Sequence, residues 1–102
     1  MFVDPPTTPV LNIIEAAGQV IPAPPTAGVQ VNLPAGSSSN RQVKVAASGF
    51  TAPVPIVVVV TPETGHSTAY NADIPIAGGS GQTTVDVVIP PGGVTQIHAW
   101  TR

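Results

Sequence analysis

The chain has 102 residues, including 13 Pro and 10 Gly, a length that suits one domain of ordinary size and not two. Eight residues are charged, three basic and five acidic, so a surface of Thr, Ser, Asn and Gln must keep the chain in solution. The basic residues Arg41, Lys44 and Arg102 form no cluster, which argues against nucleic-acid binding.

The hydrophobic share of 42% favours a packed fold over a disordered Pro- and Gly-rich chain. No apolar run is long enough to span a membrane as a helix, and the first residues show no signal-peptide pattern. The absence of cysteine leaves the redox compartment open.

In chain order, residues 2–9 (FVDPPTTP) read as an extended arm stiffened by Pro5, Pro6 and Pro9, with Phe2 as an apolar anchor near its tip. Residues 10–14 are a first strand candidate. The following EAAG at 15–18 is short enough for a single helical turn. Residues 19–27 carry Pro22, Pro24 and Pro25 and suit a sheet edge or a crossing segment. This reading divides the chain into an arm, 1–27, and a sandwich, 28–102.

From Gly28 the alternation sharpens. Val29, Val31 and Leu33 alternate with Gln30 and Asn32, as in a half-buried strand. After the loop PAGSSSN, residues 42–48 place Val43, Val45 and Ala47 inward. Residues 56–61 hold four consecutive valines, which predicts a central strand covered on both faces and flanked by Pro53, Pro55 and Pro62. PETG turns the chain into residues 67–76, with Tyr70, Ala72, Ile74 and Ile76 on one face. AGGSG is a flexible loop, and residues 83–89 send Val85, Val87 and Ile89 inward. The last strand, Val94–Thr101, is ambiguous: Ile97 and Ala99 share one face, and Val94, Gln96, His98 and Trp100 the other.

About seven short strands with turn signals every ten residues or so predict an all-β fold, a single antiparallel β-sandwich with an extended Pro-rich N-terminal arm. The tract VDVVIPPGGVTQIHAWT at 85–101 resembles the strand, Pro-Gly corner and strand near the end of immunoglobulin-like and fibronectin type III-like domains. The resemblance runs from about Val29 to Arg102 and extends to domains of bacterial and phage surface proteins. It implies an immunoglobulin-like topology in which one more strand follows this corner and pairs with Val94–Thr101. With that strand missing, the backbone edge of Val94–Thr101 is expected to be open. Residues 9–16 of the same chain, or of a neighbouring copy, are the expected fillers.

The chemistry-bearing residues are scattered. His66 and His98 are far apart in sequence, so a shared metal site is not expected. Glu63, Asn71, Asp73 and Asp86 have no calcium-loop spacing and read as solvated groups. Ser67 follows His66 directly, which sends the two side chains to opposite faces of a strand. Gly78-Gly79-Ser80-Gly81 lacks both the nucleophile-elbow spacing and the helix that a phosphate-cradling loop needs. No cofactor, no metal and no catalytic residue is implied.

The expected function is therefore a non-catalytic structural or interaction module of an extracellular, cell-surface or virion-surface assembly. Its expected partners are copies of itself or a larger assembly, with no nucleic acid and no membrane span. Contacts are expected from the arm (Phe2, Val10, Leu11, Ile13 and Ile14) and from the edge near Ile97 and Trp100. One alternative is a carbohydrate-binding module that uses Tyr70 and Trp100 as sugar-stacking rings. Against it, Trp100 reads better as a plug in a core or an interface. A passive spacer in a larger secreted protein is the other alternative.

Overall fold

The computed structural model describes residues 9–22 and 25–102. Of the arm, residues 1–8, Phe2 among them, and residues 23–24 lie outside the described residues. Eight strands follow in order: β1 (Val10–Ala16), β2 (Gln19–Val20), β3 (Gly28–Asn32), β4 (Asn40–Ser48), β5 (Val54–Pro62), β6 (Thr68–Ile74), β7 (Ser80–Val88) and β8 (Val94–Thr101). They form two four-stranded antiparallel sheets, ordered β2-β1-β4-β7 and β3-β8-β5-β6. The fold is an all-β sandwich compatible with an immunoglobulin-like arrangement. No helix among the described residues is long and apolar enough to cross a membrane.

The core is aliphatic. Val43, Val45, Ala47, Val85 and Val87 from one sheet meet Val31, Ile56, Val58, Val60, Ile97 and Ala99 from the other, all at 6% exposure or less. These residues recur at every second position, so one face of each strand is buried by sequence alone. Burying each Val or Ile contributes about 1.5–3 kcal/mol before entropy is counted. Thr95 is the one polar side chain fully buried among the described residues. Phe50 and Tyr70 sit at the margin of this core, only partly buried.

The N-terminal part departs from its expected form in two ways. First, residues 10–22 are part of the sandwich. β1 pairs with β4 from Val10↔Ser48 to Ala16↔Val43, so the sandwich begins well before Gly28. A β-bulge lets both Ile13 and Ala16 point inward: Ile13 pairs with Val45 and Glu15 with Lys44, which leaves Ile14 as the extra residue. Second, EAAG is not a helical turn. Strand β1 continues to Ala16, and Ala17 (φ 54°) with Gly18 (φ 79°) forms a two-residue hairpin into β2.

The place beside β8 is filled from within the chain, and by a different segment from the one expected. β3 pairs with β8 from Gly28↔His98 to Asn32↔Val94, while β5 pairs with its other side from Ile56↔Thr101 to Pro62↔Thr95. β8 is therefore an interior strand. The open edge expected along Val94–Thr101 does not exist, because β3 occupies the position the resemblance assigned to a later strand.

β5 is central, between β6 and β8, as the valine run predicts. Ile56, Val58 and Val60 are buried, while Val57 and Val59 are half-buried on the outer face. Pro55 lies inside the strand and not beside it. Its carbonyl still accepts the Arg102 N–H at 2.9 Å, just beyond the end of β8.

Where β6 passes into β7, Gly81 meets the Pro75 carbonyl at very close range. A Cβ at position 81 would collide with that backbone oxygen, so glycine is required for the chain to change sheets here. AGGSG is accordingly only half a loop: Gly78 (φ 65°) and Gly79 (φ 87°) turn, and Ser80 already belongs to β7.

Candidate functional site

The outer face of the β3-β8-β5-β6 sheet is the most distinctive surface of the molecule. The register places its side chains in rows. Trp100 on β8 lies opposite Val57, which lies opposite Asn71. In the next row His98 stands between Gly28 and Val59, and Val59 faces Ala69. Beyond it, Gln96 stands between Gln30 and Thr61.

Trp100 is held in place although it is 48% exposed. Its indole stacks on the His98 imidazole, with centroids 4.0 Å apart and an interplanar angle of 24°. The imidazole in turn lies over the backbone of Gly28: a Cβ there would come within 2.9 Å of His98 Nδ1. Glycine at 28 thus admits the histidine ring, and the histidine ring supports the indole. Offset stacking of this kind adds about 0.5–1.5 kcal/mol beyond area burial.

The face is electrically quiet. Its centre is Val57, Val59, His98 and Trp100, and its rim carries the neutral amides of Gln30, Gln96 and Asn71. The nearest charges, Asp73 and Arg102, pair with each other at 3.0 Å, and Arg102 also donates to the Ala72 carbonyl. Thr61 and Ser67 hydroxyls bond to each other at 2.9 Å.

The structure separates the other residues that the sequence singled out. Ile13 and Ile97 are 0% and 1% exposed and face the core, so neither is a contact residue. Val10, Leu11 and Ile14 lie on β1, which is engaged with β4 in its own sandwich. Tyr70 faces inward with its ring against the core margin, and its hydroxyl accepts the Val88 N–H at 3.1 Å. It therefore cannot share a sugar-stacking surface with Trp100. Trp100 itself is no core plug, because β8 turns Thr95, Ile97 and Ala99 inward instead. Sequence reasoning set His98 on the face of Trp100 but missed its role as the support of the indole, and it missed Gly28 altogether. A residue two places from a Trp in a strand shares its face, but the glycine partner required knowledge of the β3–β8 register.

The polar groups elsewhere are dispersed. Glu63 accepts the Val94 N–H, Asp86 accepts the Gln42 amide, and Glu15 pairs with Lys44 at 3.6 Å. An open cleft of about 710 Å³ at the end of the other sheet is lined by Glu15, Arg41, Asp86 and Val88 among others. Among the described residues, no three His, Cys, Asp or Glu side chains converge as metal ligands. Compared with known protein families, curated proteins and solved structures, the chain matches none.

Proposed function

We propose that this chain is a non-catalytic interaction module, an immunoglobulin-like domain of an extracellular, cell-surface or virion-surface assembly. Its contact surface is the outer face around Trp100. The observation that carries this reading is the half-exposed indole, braced by His98 over Gly28 on the outer face of the sheet. A side chain that large, left in water yet fixed in orientation, is the usual anchor of a protein contact, and amide-bearing neighbours provide a neutral polar rim. The low charge of the whole chain supports association with like surfaces, since little repulsion opposes it.

A second reading has its own support. Asn71 shares the row of the exposed indole, Gln30 and Gln96 stand two rows away beyond His98, and the charges in the row on the other side, Asp73 and Arg102, pair with each other. That chemistry suits a neutral glycan, whose C–H face stacks on the ring while its hydroxyls bond the amides. Tyr70 has no part in it.

Trp100 is the chain's single tryptophan, so its emission reports the site directly. The test is its emission and quenching during a concentration series, and during titration with neutral oligosaccharides, for wild type and Gly28→Ala. A blue shift on self-association, weakened in Gly28→Ala, supports the protein contact. A shift only with a sugar supports the glycan. Emission that stays that of a water-exposed indole throughout both series sinks both readings.

A further inference from the structure

Among the described residues, the hydrogen bonds along β7 leave a short window of unpaired backbone. Just beyond the strand, Ile89 donates its N–H toward the β4 side, to the Ser39 carbonyl at 2.8 Å. The alternation of an antiparallel ladder then turns the even-numbered residues of β7 to the free edge. Ser80 is capped there by its own loop: Ala77 N–H donates to Ser80 O at 2.9 Å, and Ser80 N–H to Ala77 O at 3.4 Å. Val88 is capped by the Tyr70 hydroxyl at 3.1 Å. Between these caps Gln82, Thr84 and Asp86 have no backbone partner on that side among the described residues.

Thr84 is equidistant in sequence from the two caps, so the open window is symmetric about it. The window also lacks the usual protection of a sheet edge. The nine residues of β7 contain no Pro, no Lys and a single charge, Asp86, and the β4–β7 register runs without a bulge. The opposite edge of the same sheet is blunted: β2 has two residues, and the Thr26 carbonyl takes the Ile13 N–H beside it at 2.7 Å.

We propose that a second copy of this chain pairs at this window, β7 against β7, antiparallel about a two-fold axis through Thr84. Gln82 then stands opposite the partner's Asp86, and Thr84 opposite the partner's Thr84. No like charges meet. The amide–carboxylate contact repeats one the fold already makes on the neighbouring ladder, Gln42 Nε2 to Asp86 Oδ1 at 3.1 Å. An ionised carboxylate has acceptor sites for both amides. The three facing pairs exchange about six backbone hydrogen bonds. The two-fold closes the assembly at two copies, and the caps at Ser80 and Val88 keep the ladder from running further. The surface lies on the sheet away from Trp100, so it stands or falls independently of the function proposed above.

The test is sedimentation velocity over a concentration series, with amide hydrogen exchange on the same full-length samples. Within its own chain Thr84 registers with Lys44. Thr84→Glu is therefore accommodated in the monomer and sets two carboxylates face to face across the axis. The expected result is a wild-type dimer, a monomeric Thr84→Glu whose unfolding midpoint matches that of wild type at dilutions where wild type is also monomeric, and a dimer retained in Trp100→Ala. The amides of Gln82, Thr84 and Asp86 slow with concentration in wild type, which decides the matter even if the variant fails to fold. A wild type that stays monomeric, or a dimer that survives Thr84→Glu, overturns the proposal. So does protection of these amides that arises only when an extended foreign peptide is added.

Discussion

Tyr70 on β6 reaches across the open side of the sandwich and accepts the backbone N–H of Val88 on β7 at 3.1 Å. The two strands belong to different sheets, so this contact ties the layers together where no ladder can. Tyr70→Phe keeps the ring at the core margin and removes only the acceptor. The expected cost is about 0.5–1.5 kcal/mol, toward the low end because water reaches the site. Urea unfolding measures it, and the Val88 amide should exchange faster in the variant. Unchanged stability with unchanged Val88 exchange would mean that the tie does not form in solution.

Gly81 is the position least tolerant of a side chain. The atom that a Cβ would strike is the Pro75 carbonyl oxygen, part of the backbone, which cannot rotate aside. Gly81→Ala is expected to destabilise by roughly 3 kcal/mol, at the upper end of overpacking effects. Gly36 has open space around it, although its φ of 85° also disfavours a side chain. Thermal unfolding should therefore rank Gly81→Ala below Gly36→Ala, and the reverse order would contradict the close approach.

Ala17 holds a left-handed φ of 54° at the tip of the β1–β2 hairpin. That conformation costs an ordinary L-residue roughly 1–2 kcal/mol and is favourable for Asn in a two-residue turn. Ala17→Asn is expected to raise stability by about 0.5 kcal/mol after some loss of methyl packing. The check is the denaturation midpoint. A lower midpoint would show that packing of the Ala17 methyl outweighs turn strain.

The four consecutive valines of β5 differ in consequence. Val58 is fully buried between the sheets, and Val57 lies half-buried beside Trp100. Val58→Ala should cost about 2 kcal/mol through the cavity it leaves, and Val57→Ala less than half of that. Chemical denaturation of the two variants gives the comparison directly. Equal costs would mean that the outer face is buried in solution, as an occupied interface would make it.

Most of the strands were legible because one buried face forces apolar residues to every second position. Val43, Val45 and Ala47, and later Val85, Val87 and Ile89, point inward as their spacing requires. The β1–β2 hairpin was not legible, since its turn carries Ala where Asn or Gly would announce it. The face of β8 was not legible either: Ile97 and Ala99 on one side weigh about as much as Val94 and Trp100 on the other. Only the neighbouring strands decide, and β3 is brought there by tertiary packing that local pattern does not encode. The candidate face depended on that same register, so its Gly28–His98–Trp100 arrangement emerged only with the fold.

The place of β8 inside its sheet also bears on how the protein is made. β3 and the β5-β6 hairpin have no ladder to each other, and they become one sheet only when Val94–Thr101 slots between them. A chain emerging from the ribosome therefore holds this half of the sandwich in two separate pieces until β8 appears. Pairings so distant in sequence are slow to form. For that interval both flanks of the gap offer bare strand edges, and the sparse charge of the chain does little to keep other chains from them. Synthesis, more than the finished fold, is the stage at which this protein is most exposed to misassembly.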